Sequence, residues 1–332
     1  MRPRLLPIGK LPAEVLRKLL AAGPPLPPEV RIGPAPGEDA CAIELPGGVL
    51  VAASDPITLT GEQVGASAVV INANDVAVMG VQPRWFLATV LLPEGTREDA
   101  LAPLFRATYT ALEKLGAALV GGHTEITRAV RQPVVIGQML GLAEDGRVLS
   151  SAAVRPGDSI VQVGPAPIEG AAVLALEASA AAYLPQRARA REALNDPGIS
   201  VVEPALLARD LGARALHDPT EGGLATGLRE LADASALALS IDPARVLWFE
   251  PGLELCRAVG ADPWGTLASG TLLAAFAPDR VGAALRELEA RGHAACEIGR
   301  AEAGAGVRAT SGHELPSFAR DEVARVLAEE EC

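Results

Sequence analysis

Two carboxamides and a carboxylate interrupt an apolar run at Asn72-Ala73-Asn74-Asp75-Val76-Ala77-Val78-Met79-Gly80. Val64, Ala68, Val69, Ile71, Val76 and Met79 recur near helical spacing, and Gly80 offers a C-terminal cap, so the pattern predicts a buried helix that carries polar groups. An unpaired buried carboxylate is costly, so Asp75 must face a protein partner, a cation, or a ligand that brings its own cation. On this segment alone a polar network inside the core is an equal reading.

More acids stand where strands should end. Gly37-Glu38-Asp39-Ala40 leads into Cys41-Ala42-Ile43-Glu44-Leu45, and Val49-Leu50-Val51-Ala52-Ala53 runs into Ser54-Asp55-Pro56. Ala117-Ala118-Leu119-Val120 reads as a third strand, leading into Gly121-Gly122-His123-Thr124-Glu125, where glycines let a ligand approach the backbone. Each acid taken singly is a turn former or a cap. If Asp39, Asp55, Asp75 and Glu125 converge, their mutual repulsion is about 4 kcal/mol per close pair at moderate dielectric, which calls for cations. Oxygen ligands suit magnesium, and magnesium suits a nucleotide polyphosphate.

In the second half, His217-Asp218-Pro219-Thr220-Glu221-Gly222-Gly223-Leu224 precedes a clear helix. Thr220 is the expected N-cap, and Gly222 and Gly223 leave a helix start open to anions, although Asp and Glu there are also ordinary capping residues. Ala268-Ser269-Gly270-Thr271 places small residues before a strand, as a phosphate-facing turn or a plain tight one. Gly9-Lys10 is followed by Leu11, so there is no Walker A loop, and Gly304-Ala305-Gly306-Val307-Arg308-Ala309 reads as a loop. His123 and His217 are too isolated for a zinc triad.

The elements needed to position these residues follow from periodicity. A short helix over 13–20 and a proline-rich connection over 24–28 precede alternating strands and helices up to about 153, including a strand over 84–92, an amphipathic helix over 98–115 and a strand over 134–142. The turn Arg155-Pro156-Gly157-Asp158 separates domain 1–154 from domain 155–332. The second domain reads as a strand over 159–163, an alanine-rich helix over 171–182, an irregular stretch over 185–204, a helix over 221–234, a strand over 271–277, a helix over 280–291 and a final helix from 320. The fold class is α/β or α+β.

Composition narrows the function. The chain has 332 residues, 49% of them hydrophobic, long enough for two cored domains and too apolar for disorder. A net charge of −12 argues against nucleic acid as a partner. No run is long enough to span a membrane, the start is too short for a signal peptide, and a cytoplasmic location is expected. Cys41, Cys256, Cys296 and Cys332 are too far apart in sequence to suggest a zinc knuckle or a disulfide framework.

The segments Gly37-Glu38-Asp39-Ala40, Ser54-Asp55, Asn72 to Gly80, Gly121-Gly122-His123-Thr124-Glu125 and Asp218-Pro219-Thr220-Glu221-Gly222-Gly223-Leu224 resemble, in order, the motifs of the aminoimidazole ribonucleotide synthetase superfamily. The resemblance covers nearly the whole chain. Within the superfamily the last segment, with Ser269-Gly270-Thr271-Leu272-Leu273, is most similar to hydrogenase maturation proteins of the HypE type.

That resemblance implies a two-domain PurM-like fold: an N-terminal ATP-binding domain whose strands pair across a homodimer, and a C-terminal α/β domain. It implies ATP and Mg2+ as cofactors. Asp39, Asp55, Asp75 and Glu125 would be metal ligands, and Gly37, Asn72, Asn74, Gly121, Gly122, His123, Thr124, Thr220 and Gly222 would contact the nucleotide. Asp75, Asp218 and Cys332 would be catalytic, in an ATP-driven dehydration of a carbamoyl group on the terminal cysteine, with a hydrogenase maturation or carbamoyl-transferring protein as partner. The chain departs from the HypE pattern at Glu329-Glu330-Glu331, where the family has Pro-Arg-Ile, and in lacking a glycine-rich N-terminal loop. A thiamine-monophosphate kinase-like enzyme and a non-catalytic nucleotide-binding scaffold are the alternatives.

Overall fold

The computed structural model describes residues 13–22, 25–58, 63–178 and 185–330. It divides into two compact units. One comprises Leu26–Gly33 and Asp39–Val148, and the other takes the described residues of Met1–Pro25, Pro34–Glu38 and Leu149–Cys332.

The first unit is a seven-stranded sheet carrying two helices. The strands are β1 (Val30–Ile32), β2 (Cys41–Leu45), β3 (Gly48–Ala53), β4 (Pro56–Ile57), β5 (Pro83–Pro93), β6 (Ala118–Thr127) and β7 (Val134–Ala143), ordered β1-β2-β3-β7-β5-β6 with β4 also on β7. All pairs are antiparallel except β5 with β6. The runs β3, β5 and β7 alternate buried and less buried residues, so one sheet face forms a core through Val49, Val51, Phe86, Val90, Val135 and Met139. Against the sheet lies α2 (Val64–Val78), which also packs on α3 (Leu101–Leu115). Enclosure on both sides explains why 13 of the 15 residues of α2 are buried and why it has no polar face.

The second unit holds a six-stranded sheet, β13-β10-β12-β8-β11-β9, built from β8 (Ser159–Val163), β9 (Ala215–His217), β10 (Ala238–Ile241), β11 (Leu272–Phe276), β12 (Ala295–Glu302) and β13 (Gly306–Ala309). Every residue of β8 and β11 is buried, as central strands covered on both faces require. Its helices include α4 (Ile168–Glu177), α5 (Arg187–Glu192), α6 (Val202–Asp210), α7 (Gly223–Ser235), α8 (Glu250–Val259), α9 (Val281–Ala290) and α10 (Glu322–Glu330), and α1 (Ala13–Ala21) belongs to the same unit. Leu224, Leu228 and Leu231 of α7 meet Ile160, Leu239, Leu273 and Ile298 of the sheet in one core.

Several expectations are corrected. The irregular stretch predicted over 185–204 contains α5, a short π-helical segment at Leu194–Gly198 and the start of α6. Gly306–Ala309 is not a loop: it is β13, running parallel to β10 with Val307 buried, so its apolar positions face the core rather than a dinucleotide. The third strand does not stop at Val120 but continues through the glycines to Thr127.

Candidate functional site

Asn72 sits on α2 with no exposed surface, and its carboxamide is spent on the backbone of Asp55 and Ala68. Its Oδ1 accepts the backbone N–H of Asp55 at 2.8 Å, while Nδ2 donates to the Asp55 carbonyl at 3.3 Å and to the Ala68 carbonyl at 2.9 Å. Asp55 lies just past the end of β3, and its carbonyl also accepts the N–H of Gly137 on β7 at 3.0 Å. The arrangement is tight: a Cβ on Gly137 would fall 2.3 Å from Asn72 Nδ2. Asn72 therefore positions the Asp55 backbone, at a residue that is exposed.

Asn74 and Asp75 are also buried on α2, Asp75 with 6% of its surface exposed. Three residues apart, Asn72 and Asp75 share a face of the helix. Asp39, partly exposed, precedes β2.

The glycines, His123, Thr124 and Glu125 lie on β6, the edge strand, exposed over most of its length. Gly122 has φ +148°, and a Cβ there would stand 2.1 Å from the Ala88 carbonyl of β5, so only glycine permits the paired register. His123 Nε2 and Glu125 Oε2 lie 3.2 Å apart on one side of the strand. Glu125, expected at a strand end, stands within the strand. Among the described residues, no three His, Cys, Asp or Glu side chains gather into a group that could hold a metal ion.

In the second unit, β9 ends at the buried His217, whose Nε2 lies 3.2 Å from Glu230 Oε2, and the buried Asp218 follows. Gly37, at φ +91°, packs beside the Glu230 carbonyl. Thr220 is not the N-cap of α7. That position falls to Gly222 at φ +82°, while the Thr220 carbonyl accepts the N–H groups of Gly223 at 3.0 Å and Ala268 at 3.3 Å. The N–H of Gly222, which the side chain of an N-cap Thr220 would have accepted, is taken instead by Asp321 Oδ2 at 2.7 Å. Asp321 Oδ1 accepts the N–H of Val323 at 2.8 Å, capping α10.

This last contact belongs to a cluster that sequence reasoning missed. Glu169, in the first turn of α4, is 3% exposed, and burial pushes its carboxyl up to about 7, with the Ser269 hydroxyl lowering it and the Glu221 charge raising it. Burial likewise pushes Asp321 up to about 7, against the N–H groups of Gly222 and Val323 and with the charges of Glu221 and Glu169. Desolvation thus outweighs the favourable field of the α4 N-terminus. The available signal was a lone acid inside Ile168-Glu169-Gly170-Ala171-Ala172-Val173, the same signature that marked Asp75. Cys256, also buried, is pushed up to about 11 and has Thr266 beside it, a structural thiol rather than a nucleophile. Cys332 lies outside the described residues.

Two α/β units, one with a polar-centred helix beneath a strand-end acid and the other with a glycine-opened helix start, define a two-domain α/β protein of mixed sheets. Models of the AIR synthase related protein match residues 37–143 with their N-terminal domain and 155–312 with their C-terminal domain, and the chain belongs to this family. It is similar to the carbamoyl dehydratase HypE of Rhodobacter capsulatus, with 30% identity over 253 residues covering 75% of this chain and 72% of that protein. The fold matches a crystal structure of hydrogenase maturation protein HypE in complex with ATP (TM-score 0.71, 24% identity, 86% of this chain and 90% of that one). It also matches AaThiL complexed with AMPPCP and TMP (TM-score 0.72, 20% identity, 92% and 94%). No helix among the described residues is long and apolar enough to cross a membrane.

Proposed function

We propose that this chain is an ATP- and magnesium-dependent enzyme that activates an oxygen of its substrate by phosphorylation, in a HypE-like carbamoyl dehydration. The observation that carries the reading is the pairing of Asn72 with Asp55: a buried carboxamide fixes the backbone of an exposed strand-end acid, and a second acid, Asp75, shares the helix face of that carboxamide. The donor set suits magnesium, which commonly takes one or two carboxylates and completes its shell with phosphate oxygens and water. Asp55 and Asp75 are the residues assigned to hold it, with Asp39 and Glu125 as further oxygen donors. Bound there with ATP, the ion would draw charge from the γ-phosphate and make its phosphorus more electrophilic.

The chain's own residues then orient and exclude. Asn72 fixes the strand end, and Asn74 with the open backbone at Gly121 and Gly122, His123 and Thr124 is assigned to the nucleotide. In the second unit Asp218, Thr220, Gly222 and Gly37 are the corresponding candidates. A carbamoyl oxygen forms a bond to the γ-phosphorus while the bond to the β-γ bridging oxygen breaks, releasing ADP. Loss of two N–H protons and of phosphate leaves a nitrile carbon, and Cys332 is the proposed thiol that carries the group.

A homodimer fits the exposed edge of the first unit. Val120 and Ile126 on β6 are 54% and 59% exposed, and an unpaired ten-residue edge of that kind is a natural site for pairing with a second copy. We further propose a cytoplasmic location, a carbamoyl-transferring maturation protein as partner, and 1–154 and 155–332 as the functional division.

The test is mass spectrometry of the intact protein incubated with ATP, magnesium and a carbamoyl donor. The reading expects a carbamoyl adduct that then loses water, and no adduct after Cys332 is deleted. Phosphorylation of thiamine monophosphate without any adduct would favour the kinase reading, which the fold match to AaThiL supports.

A further inference from the structure

Four separate segments of the second unit are drawn together by hydrogen bonds from backbone N–H groups. Gly170 N–H donates to the Leu267 carbonyl at 2.9 Å, Ala268 N–H to Thr220, and Gly222 N–H to Asp321 Oδ2 at 2.7 Å. A Cβ on Gly170 would fall 2.7 Å from the Leu267 carbonyl, so the start of α4 and the loop before β11 are in direct contact. The convergence brings Glu169, Glu221 and Asp321 close enough to repel one another, with Ser269 beside Glu169.

A group of acids alone is no site. Here two polar atoms add to it: Ser269 Oγ, on a residue 1% exposed, and Glu169 Oε2 are both buried with no hydrogen-bond partner of good geometry. Glu169 Oε2 accepts hydrogen bonds and the Ser269 hydroxyl both donates, toward Glu169, and accepts, and each buried atom left without a well-formed partner costs about 1–3 kcal/mol. Asp321 already spends both its oxygens on backbone N–H groups, and the described residues make no three-ligand metal group, which disfavours a cation held by oxygen coordination. What the cluster needs is positive charge that also donates hydrogen bonds. Thr220, Glu221 and Gly270 are partly exposed and form its rim.

We infer that Glu169, Ser269, Glu221 and Asp321 form a binding site for a cationic nitrogen group, a protonated amine or amidine presented by a small molecule or a side chain. The site lies wholly within the second unit and goes beyond the proposed reaction, since it needs no nucleotide to fill it.

The experiment is a thermal-shift titration of the full-length protein, without nucleotide, using methylammonium and methylguanidinium, with tetramethylammonium and magnesium chloride at matched ionic strength as controls. Either N–H cation should raise Tm with a midpoint at least tenfold lower in concentration than tetramethylammonium. Glu169→Gln should raise that midpoint at least tenfold and Ser269→Ala severalfold, while Glu289→Gln, an exposed carboxylate of α9, should leave it unchanged. Equal shifts from tetramethylammonium or magnesium, or midpoints unmoved by both site variants, would overturn the inference. Since both variants shrink or neutralise a buried polar group, folding is expected in each, and Ser269→Ala keeps the test decisive should Glu169→Gln not fold. ATP binding measured on the same wild-type sample separates this outcome from the proposed function: ATP bound without any N–H-specific shift rejects the nitrogen site alone.

Discussion

The side chain of Asn72 holds both backbone polar groups of Asp55, accepting its N–H at 2.8 Å and donating to its carbonyl at 3.3 Å. A residue in the middle of a buried helix thus sets the position of an acid at the end of a strand 17 positions earlier. Asn72→Ala removes these two bonds and the one to the Ala68 carbonyl and leaves the partner groups unsatisfied, so stability should fall by about 2–4 kcal/mol. ATP affinity should fall at least tenfold with it. Asn72→Asp keeps an acceptor, loses both donors and adds a buried charge, and should be the worse of the two. Urea denaturation alongside nucleotide titration measures both effects.

Gly122→Ala places a methyl against the Ala88 carbonyl in a backbone conformation that alanine avoids. The pairing of β6 with β5 must shift or open, at an expected cost of about 2 kcal/mol or more. Hydrogen exchange should show lost protection along β6, and unchanged protection there would contradict the register described.

The Asn72 to Gly80 helix and most strands were legible because their apolar spacing is strong and their ends carry glycine or proline. What the sequence could not show were contacts between distant segments. Thr220 looked like the N-cap because Thr commonly serves there, yet Asp321, 99 positions away, answers the Gly222 N–H instead. Glu169 was hidden for the same reason: its burial depends on Ser269 and Leu267, which pair with its helix only in the folded chain. The Gly306–Ala309 strand was lost because its glycines mimic a loop, while its partner β10 supplies the ladder. The acids of the first unit were legible as residues, but their relation to one another was not, and no three of them form a metal group within the described chain.

Stability should depend on pH through Glu169 and Asp321. Their folded pKa values, about 7 each, lie above the unfolded values near 4, so the folded state holds protons that the unfolded state has released. The resulting stability is complete below about pH 4 and is lost as pH rises to about 7, with a slope of about 1.4 kcal/mol per pH unit for each group. Glu169→Gln should make the decline between pH 5 and 7 shallower by about one such slope. A decline as steep as in the wild-type protein would show that Glu169 does not hold the proton.

Association should depend on the outer edge of the first unit. Val120→Lys combined with Ile126→Lys puts two charges on an exposed edge strand and should convert a dimer to a monomer without lowering Tm by more than a few degrees. Sedimentation velocity reads the change directly. A wild-type monomer at micromolar concentration would refute the proposed pairing.

Carboxylates of the first unit are proposed to bind ATP through magnesium, and isothermal titration of ATP into wild-type protein and Asp75→Asn, each with and without magnesium, measures this. Binding in the wild-type protein should require magnesium, and Asp75→Asn should bind at least tenfold more weakly and lose turnover. Equal binding and turnover in both proteins, or binding indifferent to magnesium, would contradict the proposal.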